Sequence, residues 1–259
     1  MLAAERQKSI LKLLENTGSV EVSDLSRHYQ VSVMTIRRDL ASLEAQGQVT
    51  RTHGGAVLNR STTFELSYNA KQDLRAGEKR RIGERAALLV RDGDTVILDA
   101  GTTTLEIAKR LDRRRNLTVV TNSLPIASEL AGSRNIALII TGGLLRETSL
   151  SLVGPLAQQA VAALNADLAF IGVDGISAER GISTPDMVEA QTKRAMISAA
   201  SRVVVVADQS KFGSVALATI APIASVDVIV TDGALPADFA KALAESGAEV
   251  MYTGDTLSA

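Results

Sequence analysis

The sequence predicts two consecutive α/β domains, a small winged helix-turn-helix and a larger layered domain with a Rossmann-like, mostly parallel sheet. Two patterns predict them. Between residues 20 and 56, helical segments are followed by a hairpin that carries a Gly-Gly pair. From about residue 77 onward, short β-branched apolar runs alternate with helical segments, as in a parallel sheet covered on both faces. The 259 residues, 46% of them hydrophobic, suffice for two such cores.

The first three helices are predicted from apolar spacing and from residues that are typical of helix ends. Leucine and isoleucine at positions 10, 11, 13 and 14 indicate a first helix of about ten residues, ended by Asn16 and Gly18. Ser23 and Ser32 stand where the N-caps of the second and third helices are expected, because a serine hydroxyl can accept a hydrogen bond from the first turn. Gly47 is expected to end the third helix.

The third helix has two different faces, separated by a period of about 100° per residue. Its predicted buried face consists of Val33, Ile36, Leu40 and Leu43. Its predicted free face consists of Met34, Thr35, Arg38 and Ser42. Arginine can bind guanine bidentately and threonine can contact a thymine methyl group or a phosphate, so this face can read DNA. Arg37 lies to the side and is expected to contact phosphate.

Residues 48–56 alternate as a hairpin, the predicted wing, whose glycines let the backbone approach phosphates closely. The predicted DNA-binding residues are Ser32, Met34, Thr35, Arg37, Arg38, Ser42, Arg51, His53, Gly54 and Gly55. An ordinary solvated surface is the alternative for Arg37 and Arg38. The order of helix, turn, capped helix and hairpin favours double-stranded DNA as the partner.

Residues 31–56 contain a motif that is more specific than its separate parts. It consists of Val31, Ser32, Thr35, Ile36, Arg37, Arg38, Asp39, Leu40, Leu43, Glu44, Gly47, Arg51, His53, Gly54, Gly55 and Ala56. This run resembles, without a gap, the signature of the DeoR family of bacterial transcriptional regulators. The resemblance implies a protein that binds operator DNA.

Composition indicates which end faces DNA and excludes several kinds of site. Residues 1–91 carry 15 Lys and Arg against 10 Asp and Glu, whereas residues 92–259 carry 13 against 19. The basic half is therefore the predicted DNA-facing half. The absence of cysteine excludes a disulfide framework, a thiolate nucleophile and Cys-ligated zinc. With no signal-peptide pattern, and with the uncharged run 148–166 broken by Pro155 and Asn165, we expect a cytoplasmic protein with no membrane partner, cofactor or metal ion.

The domain boundaries are predicted from a polar, aperiodic stretch, Leu58–Ser67. We expect a DNA-binding domain at residues 1–57, a linker at 58–76 and an effector-binding domain at 77–259. The basic run after the stretch contains Lys71, Arg75, Lys79, Arg80, Arg81 and Arg85. A solvated helix face and an extension of the phosphate footprint are the two interpretations of that run.

Six apolar runs predict the strands of the larger domain, and polar residues follow each of them. The runs are Val96–Leu98, Leu117–Val120, Ile136–Ile140, Leu168–Ile171, Val203–Val206 and Val226–Val230. Ligands of open α/β sheets bind outside the carboxyl ends of the strands, so the residues that follow the runs are candidates for a ligand site.

The predicted ligand is a small phosphorylated sugar. Gly101–Thr104 follows the first run and opens a helix, where backbone N–H groups and hydroxyls can hold a phosphate. Aspartates at the strand ends can accept hydrogen bonds from sugar hydroxyls, and lysine or arginine can pair with phosphate. The candidate effector-binding residues are Asp99, Gly101, Thr102, Thr103, Thr104, Thr121, Asn122, Ser123, Gly142, Gly143, Arg146, Asp174, Gly175, Glu189, Lys193, Asp208 and Lys211. Helix caps, turn formers and a surface i,i+4 pair are the alternatives for several of them.

The strand-end stretches of this half resemble the effector domain of the DeoR family, which is similar in fold to ribose-5-phosphate isomerase. The resemblance implies a homo-oligomeric repressor of a sugar-use operon whose operator binding a sugar phosphate modulates. An isomerase-like enzyme fused to a DNA-binding domain is the alternative, and Glu189 is the base it leaves open. We expect no catalysis. The pentose-phosphate isomerases resemble this chain at Asp174-Gly175 but continue with acidic residues, whereas this chain continues with Ile176 and Ser177. The amino-sugar isomerases use a histidine, whereas both histidines of this chain, His28 and His53, lie in the DNA-binding half. A structural DNA binder without a ligand is a third alternative.

Overall fold

The computed structural model describes residues 1–45, 48–58 and 62–254. These residues divide into two compact units, Met1–Leu66 and Ser67–Ala259. Residues 67–76, which the sequence places in the linker, belong by this division to the second unit. The physical reason is that Tyr68 is buried in the core of that unit, with 5% of its surface exposed.

The first unit is a winged helix-turn-helix, as predicted. Its elements are α1 Ala3–Thr17, β1 Ser19–Glu21, α2 Val22–Tyr29, α3 Val33–Ala45, β2 Val49–Arg51 and β3 Gly55–Leu58. The three strands form an antiparallel sheet in the order β1-β3-β2. Strand β1, which the apolar pattern does not predict, anchors the wing to the helices.

Several helix ends differ from the expectation. α1 has 15 residues rather than about ten, and it ends at Gly18 in the left-handed conformation that glycine favours. α2 begins at Val22 with Glu21 as its N-cap, so Ser23 lies inside the helix and does not cap it. The predicted cap of α3 is confirmed, because the Ser32 hydroxyl oxygen accepts the Thr35 N–H at 3.1 Å. Gly47, the predicted end of α3, lies outside the described residues.

The core of the first unit contains Ile36, Leu40 and Leu43 of α3, as predicted, but not Val33. Val33 is 43% exposed because it is the first residue of α3, and side chains in a helix point back towards its N-terminal end. Asp39 is buried instead, and its carboxylate pairs with Arg6 of α1 at 2.6 Å. This ion pair joins α3 to α1.

The second unit is an α/β layered domain. Its helices are α4 Tyr68–Asp73, α5 Ala76–Ala87, α6 Thr102–Ala108, α7 Leu124–Leu130, α8 Pro155–Ala162, α9 Met187–Ser198 and α10 Ala237–Ser246. Its strands are β4 Thr95–Leu98, β5 Leu117–Thr121, β6 Ile136–Ile140, β7 Leu144–Arg146, β8 Ser151–Val153, β9 Ala166–Gly172, β10 Gly175–Ser177, β11 Gly181–Thr184, β12 Ala200–Val206, β13 Ala218–Ala221, β14 Val228–Thr231 and β15 Glu249–Tyr252.

Seven of the described strands form a parallel sheet in the order β15-β14-β12-β9-β4-β5-β6. Successive side chains of β4 alternate between two apolar clusters, with Val96 and Leu98 in one and Ile97 in the other. The sheet is therefore covered on both faces, as predicted for continuous apolar runs. Each of the six predicted runs overlaps one of its strands.

The order of the strands reverses between β4 and β9. From β4 the chain builds outward through β5 and β6, and from β9 it builds the other way through β12, β14 and β15. Such a reversal opens a crevice at the carboxyl ends of the two central strands. Strand β6 forms one edge of the sheet, and its residues Ile139 and Ile140 are 40% and 48% exposed. At this edge the sheet is therefore not covered on both faces. Within the described ranges, no helix is long and apolar enough to cross a membrane.

Candidate functional site

The free face predicted for α3 is open to solvent. Met34 is 58% exposed, Arg37 and Arg38 are exposed, and Thr35 and Ser42 are half-buried. Among the described residues, neither arginine has a carboxylate within ion-pair distance. The two guanidinium groups are therefore available to a DNA backbone or base edge.

The hydroxyl of Ser32 is committed to the start of α3. It lies 2.9 Å from the Thr35 hydroxyl and accepts the Thr35 N–H. Ser32 thus sets the position of Thr35 at the front of the reading helix.

The wing holds its predicted residues in different ways. Arg51 is tied to Glu44 of α3, with its N–H 3.1 Å and its guanidinium 3.6 Å from the carboxylate. His53 and Gly54 are exposed in the turn. Gly55 is buried, and a Cβ atom there would lie 1.8 Å from the carbonyl oxygen of Val20. The sequence suggested that this glycine lets a phosphate approach the backbone. The structure gives a different reason for Gly55: only glycine lets β3 approach β1 this closely.

The second unit has a cleft of about 620 Å³, including its open mouth, at the point where the strand order reverses. Loops after β4, β9 and β12 form its floor. The structure brings eight of the predicted effector residues together around it: Gly101, Thr102, Thr103, Asp174, Glu189, Lys193, Asp208 and Lys211. The sequence rule that ligands bind at strand ends therefore selects residues that share one cleft.

Five predicted residues lie beneath the cleft instead of lining it: Asp99, Thr104, Thr121, Asn122 and Ser123 are all buried. The Thr121 hydroxyl donates to the Leu98 carbonyl at 2.7 Å, and the Asn122 side-chain oxygen accepts the Ala100 N–H at 2.9 Å. The Thr104 hydroxyl donates to the Gly101 carbonyl at 2.9 Å, and Ser123 caps α7. Thr104, Thr121 and Asn122 position the loop after β4, which corrects the prediction that they contact a ligand.

The remaining predicted residues shape the surroundings. Gly142 and Gly143 have φ values of +68° and +116° and form the turn between β6 and β7, where glycine is required. Gly175 packs against the segment that precedes β13, since a Cβ atom at Gly175 would lie 2.5 Å from the Ser214 carbonyl oxygen. Arg146 lies 3.4 Å from Glu189 and 3.3 Å from Asp186, so it reaches the cleft through a lining carboxylate.

A buried charge centre lies behind the cleft. The Lys193 ammonium donates to Asp99 and to the Gly172 carbonyl at 3.1 Å, and it lies 3.3 Å from Glu189. Burial alone would lower the pKa of Lys193, but Asp99 and Glu189 outweigh it and hold that pKa above its ordinary value. Burial also raises the pKa of Asp99, although Lys193 opposes this. The pair Glu189 and Lys193 is therefore internal, which excludes the surface i,i+4 alternative.

Sequence reasoning missed four further lining residues that have polar side chains: Tyr68, Lys71, Lys79 and Ser149. Lys71 donates to Asp174 at 2.7 Å, and Lys79 donates to the backbone carbonyl of Lys71. Arg75 lies 3.6 Å from Asp208. Half of the basic run thus faces the carboxyl ends of the strands in its own unit. Neither of the two interpretations of the run included this outcome. The spacing of four residues between these cations is the signal that could have grouped them.

Two carboxylates of the cleft, Asp174 and Asp208, have pKa values that nearby cations lower. Burial would raise the pKa of Asp174, but Lys71 and Lys211 outweigh it and hold that pKa well below its ordinary value. The pKa of Asp208 is also lowered, because Lys211 and hydrogen bonds from Ser210 outweigh burial. The described lining contains one lysine more than it has carboxylates, with Lys71, Lys79, Lys193 and Lys211 set against Asp174, Glu189 and Asp208. Such a cleft suits an anion that also carries hydroxyl groups.

Comparisons with known proteins cover nearly the whole chain. Residues 6–62 match the sequence model of the DeoR-like helix-turn-helix domain, and residues 74–233 match that of the DeoR C terminal sensor domain. The transcriptional repressor AccR of Agrobacterium fabrum is 42% identical over 229 residues, which are 88% of this chain and 89% of the relative. The HTH-type transcriptional regulator GlpR of Haloferax volcanii is 38% identical over 251 residues, 97% of this chain and 98% of the relative.

Ribose 5-phosphate isomerase A of Methanocaldococcus jannaschii is a solved structure with 18% identity and a TM-score of 0.38, over 52% of this chain and 53% of that one. The two family matches and the full-length relatives rest on far more residues. Both units agree in order and position with those matches. The chain therefore belongs to the DeoR family of transcriptional regulators.

Proposed function

We propose that this regulator represses a carbohydrate-use operon and that a phosphorylated sugar in the cleft of the second unit modulates its operator binding. The observation that carries the proposal is the charge pattern of the cleft, in which lysines and ionised aspartates face one another at the strand ends. A sugar phosphate has both of the groups that such a lining can bind.

The phosphate is held between the lysines and the loop Gly101–Thr103. α6 has only seven residues, so its dipole contributes little, and the lysines supply most of the attraction. The hydroxyl of Thr103 has no hydrogen-bond partner among the described residues and can donate to a phosphate oxygen. The sugar hydroxyls donate to Asp174 and Asp208, which accept because their pKa values are lowered.

The first unit supplies the output. Exposed Arg38 reads base edges in the major groove, and Arg37 contacts phosphate. A single helix reads few base pairs, so two or more copies of the chain bind repeated half-sites as a homo-oligomer in the cytoplasm, where the operator lies. The sugar phosphate acts by binding one arrangement of the chain more tightly than the other.

An isomerase activity is not part of the proposal. Glu189, the base that the sequence leaves open, is committed to two ion pairs, with Lys193 at 3.3 Å and with Arg146 at 3.4 Å, whereas a general base must be placed to accept a proton from a substrate. The relatives AccR and GlpR are named as transcription regulators. A turnover assay with pentose and hexosamine phosphates tests this part, and measurable isomerisation would overturn it.

The variant Thr103→Val tests the site. A panel of sugar phosphates is screened by thermal shift with the parent, and the strongest ligand is then added to operator-binding titrations. We expect Thr103→Val to lose most of the ligand response and to bind operator like the parent, because the change removes one hydroxyl from the cleft alone. Thr219→Val, at the one exposed position of β13, is the matched control and keeps the response. An unchanged response in Thr103→Val would remove the loop after β4 from the site.

A further inference from the structure

Helix α4 occupies a particular place in the chain, because it is the first element of the second unit. The boundary between the two units falls between Leu66 and Ser67, and Ser67 caps α4 by accepting the Ala70 N–H. A change in how α4 is held therefore has a direct covalent path to the residues that lead to the DNA-binding unit. This follows from chain connectivity alone.

The attachments of α4 are groups of the ligand cleft. The side chain of Tyr68 lines the cleft, and its backbone N–H donates to the Thr148 carbonyl at 2.7 Å. The Lys71 ammonium donates to Asp174 at 2.7 Å, with both side chains largely buried. Lys79, itself a lining residue, donates to the Lys71 carbonyl at the end of α4. Just beyond α4, Arg75 lies 3.6 Å from Asp208.

An anion in the cleft competes for two of these attachments. A phosphate beside Lys71 and Lys79 offers each ammonium a doubly charged partner in place of Asp174 and of a backbone carbonyl. Asp174 does not lose all support when Lys71 turns away, because the Thr184 hydroxyl donates to its other oxygen at 3.1 Å and Lys211 is nearby. The exchange therefore leaves no buried charge uncompensated, which keeps its free-energy cost low.

We propose that Lys71 is an effector-binding residue that exchanges Asp174 for the ligand's phosphate, and that this exchange alters the attachment of α4 and so transmits occupancy of the cleft towards the DNA-binding unit. The proposal rests on the proposed function, since it requires an anion in this cleft. It adds the route by which the second unit reports that anion.

Amide hydrogen exchange in the full-length chain tests the proposal, with inorganic phosphate as the probe and chloride at matched ionic strength as the reference. The amides of Tyr68 and Lys71 report on α4, because they donate to Thr148 and Ser67. Phosphate binding is measured separately by calorimetry. In the parent we expect phosphate to bind and to raise the exchange rate of both amides about tenfold, the change that corresponds to the net contribution of one ordinary hydrogen bond.

Asp174→Asn separates transmission from binding. It removes a negative charge from the cleft and releases Lys71, so we expect phosphate to bind several-fold more tightly while α4 exchanges rapidly whether or not phosphate is present. Lys71→Met should bind phosphate more weakly and also lose the α4 response, whereas Lys71→Arg should retain both. Arg80→Met is the matched control: it removes an exposed cation of α5 whose partner is Glu84, and it should behave like the parent.

Each result decides between the proposals. Phosphate binding without a change at Tyr68 and Lys71 would overturn the role of α4 and leave the ligand site in place. Absence of phosphate binding to the parent would overturn both. An Asp174→Asn variant whose α4 responds like that of the parent would show that the Lys71 pair does not transmit occupancy.

Discussion

The reading face of α3 and the cleft of the second unit use charge in opposite ways. Arg37 and Arg38 are exposed and have no carboxylate partner among the described residues, so binding DNA replaces only water and counterions. Lys71 and Lys193 already have carboxylate partners inside the protein. An anion that binds these lysines would replace a protein contact, and in our proposal that replacement couples binding to conformation. Exposed cations therefore suit recognition, whereas paired and buried cations suit a sensor.

The largest expected effect is on the buried charge centre. Lys193→Met leaves buried Asp99 without a cation and Glu189 with Arg146 alone, and we expect the second unit to lose about 3–5 kcal/mol of unfolding free energy. Chemical denaturation of the full chain measures it. Lys109→Met, which breaks a surface pair with Glu106, is the control and should cost about 0–1 kcal/mol. Equal losses of unfolding free energy in the two variants would contradict the prediction that the buried ion pairs stabilise the second unit more than the exposed pair does.

The reading face should respond through DNA affinity and not through stability. Arg38→Ala is expected to weaken operator binding by about 1–3 kcal/mol and to relax base preference, because a base contact is lost. Arg37→Ala, the matched variant on the same turn, should weaken operator and scrambled DNA alike and lower the salt dependence by about one counterion. Titrations at several salt concentrations separate the two. Parent-like binding by both variants would place DNA contact elsewhere on the unit.

The smallest expected effect is a pH dependence that belongs to the cleft. The pKa of Asp174 is held below its ordinary 3.8 in the folded chain, so its contribution to stability is present above about pH 4 and is lost as the pH falls. Asp174→Asn should therefore lose less stability on acidification than the parent, by at most about 1.4 kcal/mol per pH unit. Unfolding curves between about pH 6 and pH 3 measure this. Asp112→Asn, at an exposed site, should follow the parent curve, and a parent-like slope in Asp174→Asn would contradict the lowered pKa.

Local patterns predicted the parts of the fold whose sequence signal is itself local. The periodic face of α3 and the six apolar runs were correct because burial on one or both faces leaves a short repeat in the sequence. Strand β15, Glu249–Tyr252, was missed because an edge strand is half-exposed and its residues do not form an apolar run. The prediction that Val33 is buried was wrong, because periodicity gives the buried face of a helix and not how far along the helix that face is packed.

The candidate site divides in the same way. Gly101–Thr103, Asp174 and Asp208 could be predicted, since strand ends of a parallel sheet share one edge. Tyr68, Lys71 and Lys79 could not, because Lys71 meets Asp174 across 103 residues and nothing local to α4 indicates that partner. Thr121 and Asn122 fit the strand-end rule and yet are buried, because the rule gives the edge and not the depth of a side chain.

The sequence by itself determined the family, the two units and the residues at the strand ends, because periodicity, caps and short motifs are properties of neighbouring residues. Which polar groups line the cleft and which lie buried beneath it depends on the tertiary structure. So does the inward orientation of part of the basic run, in which Lys71 pairs with Asp174 and Arg75 with Asp208. The physical reason is that an ion pair depends on the distance between two side chains, and folding sets that distance for residues that are far apart in the chain.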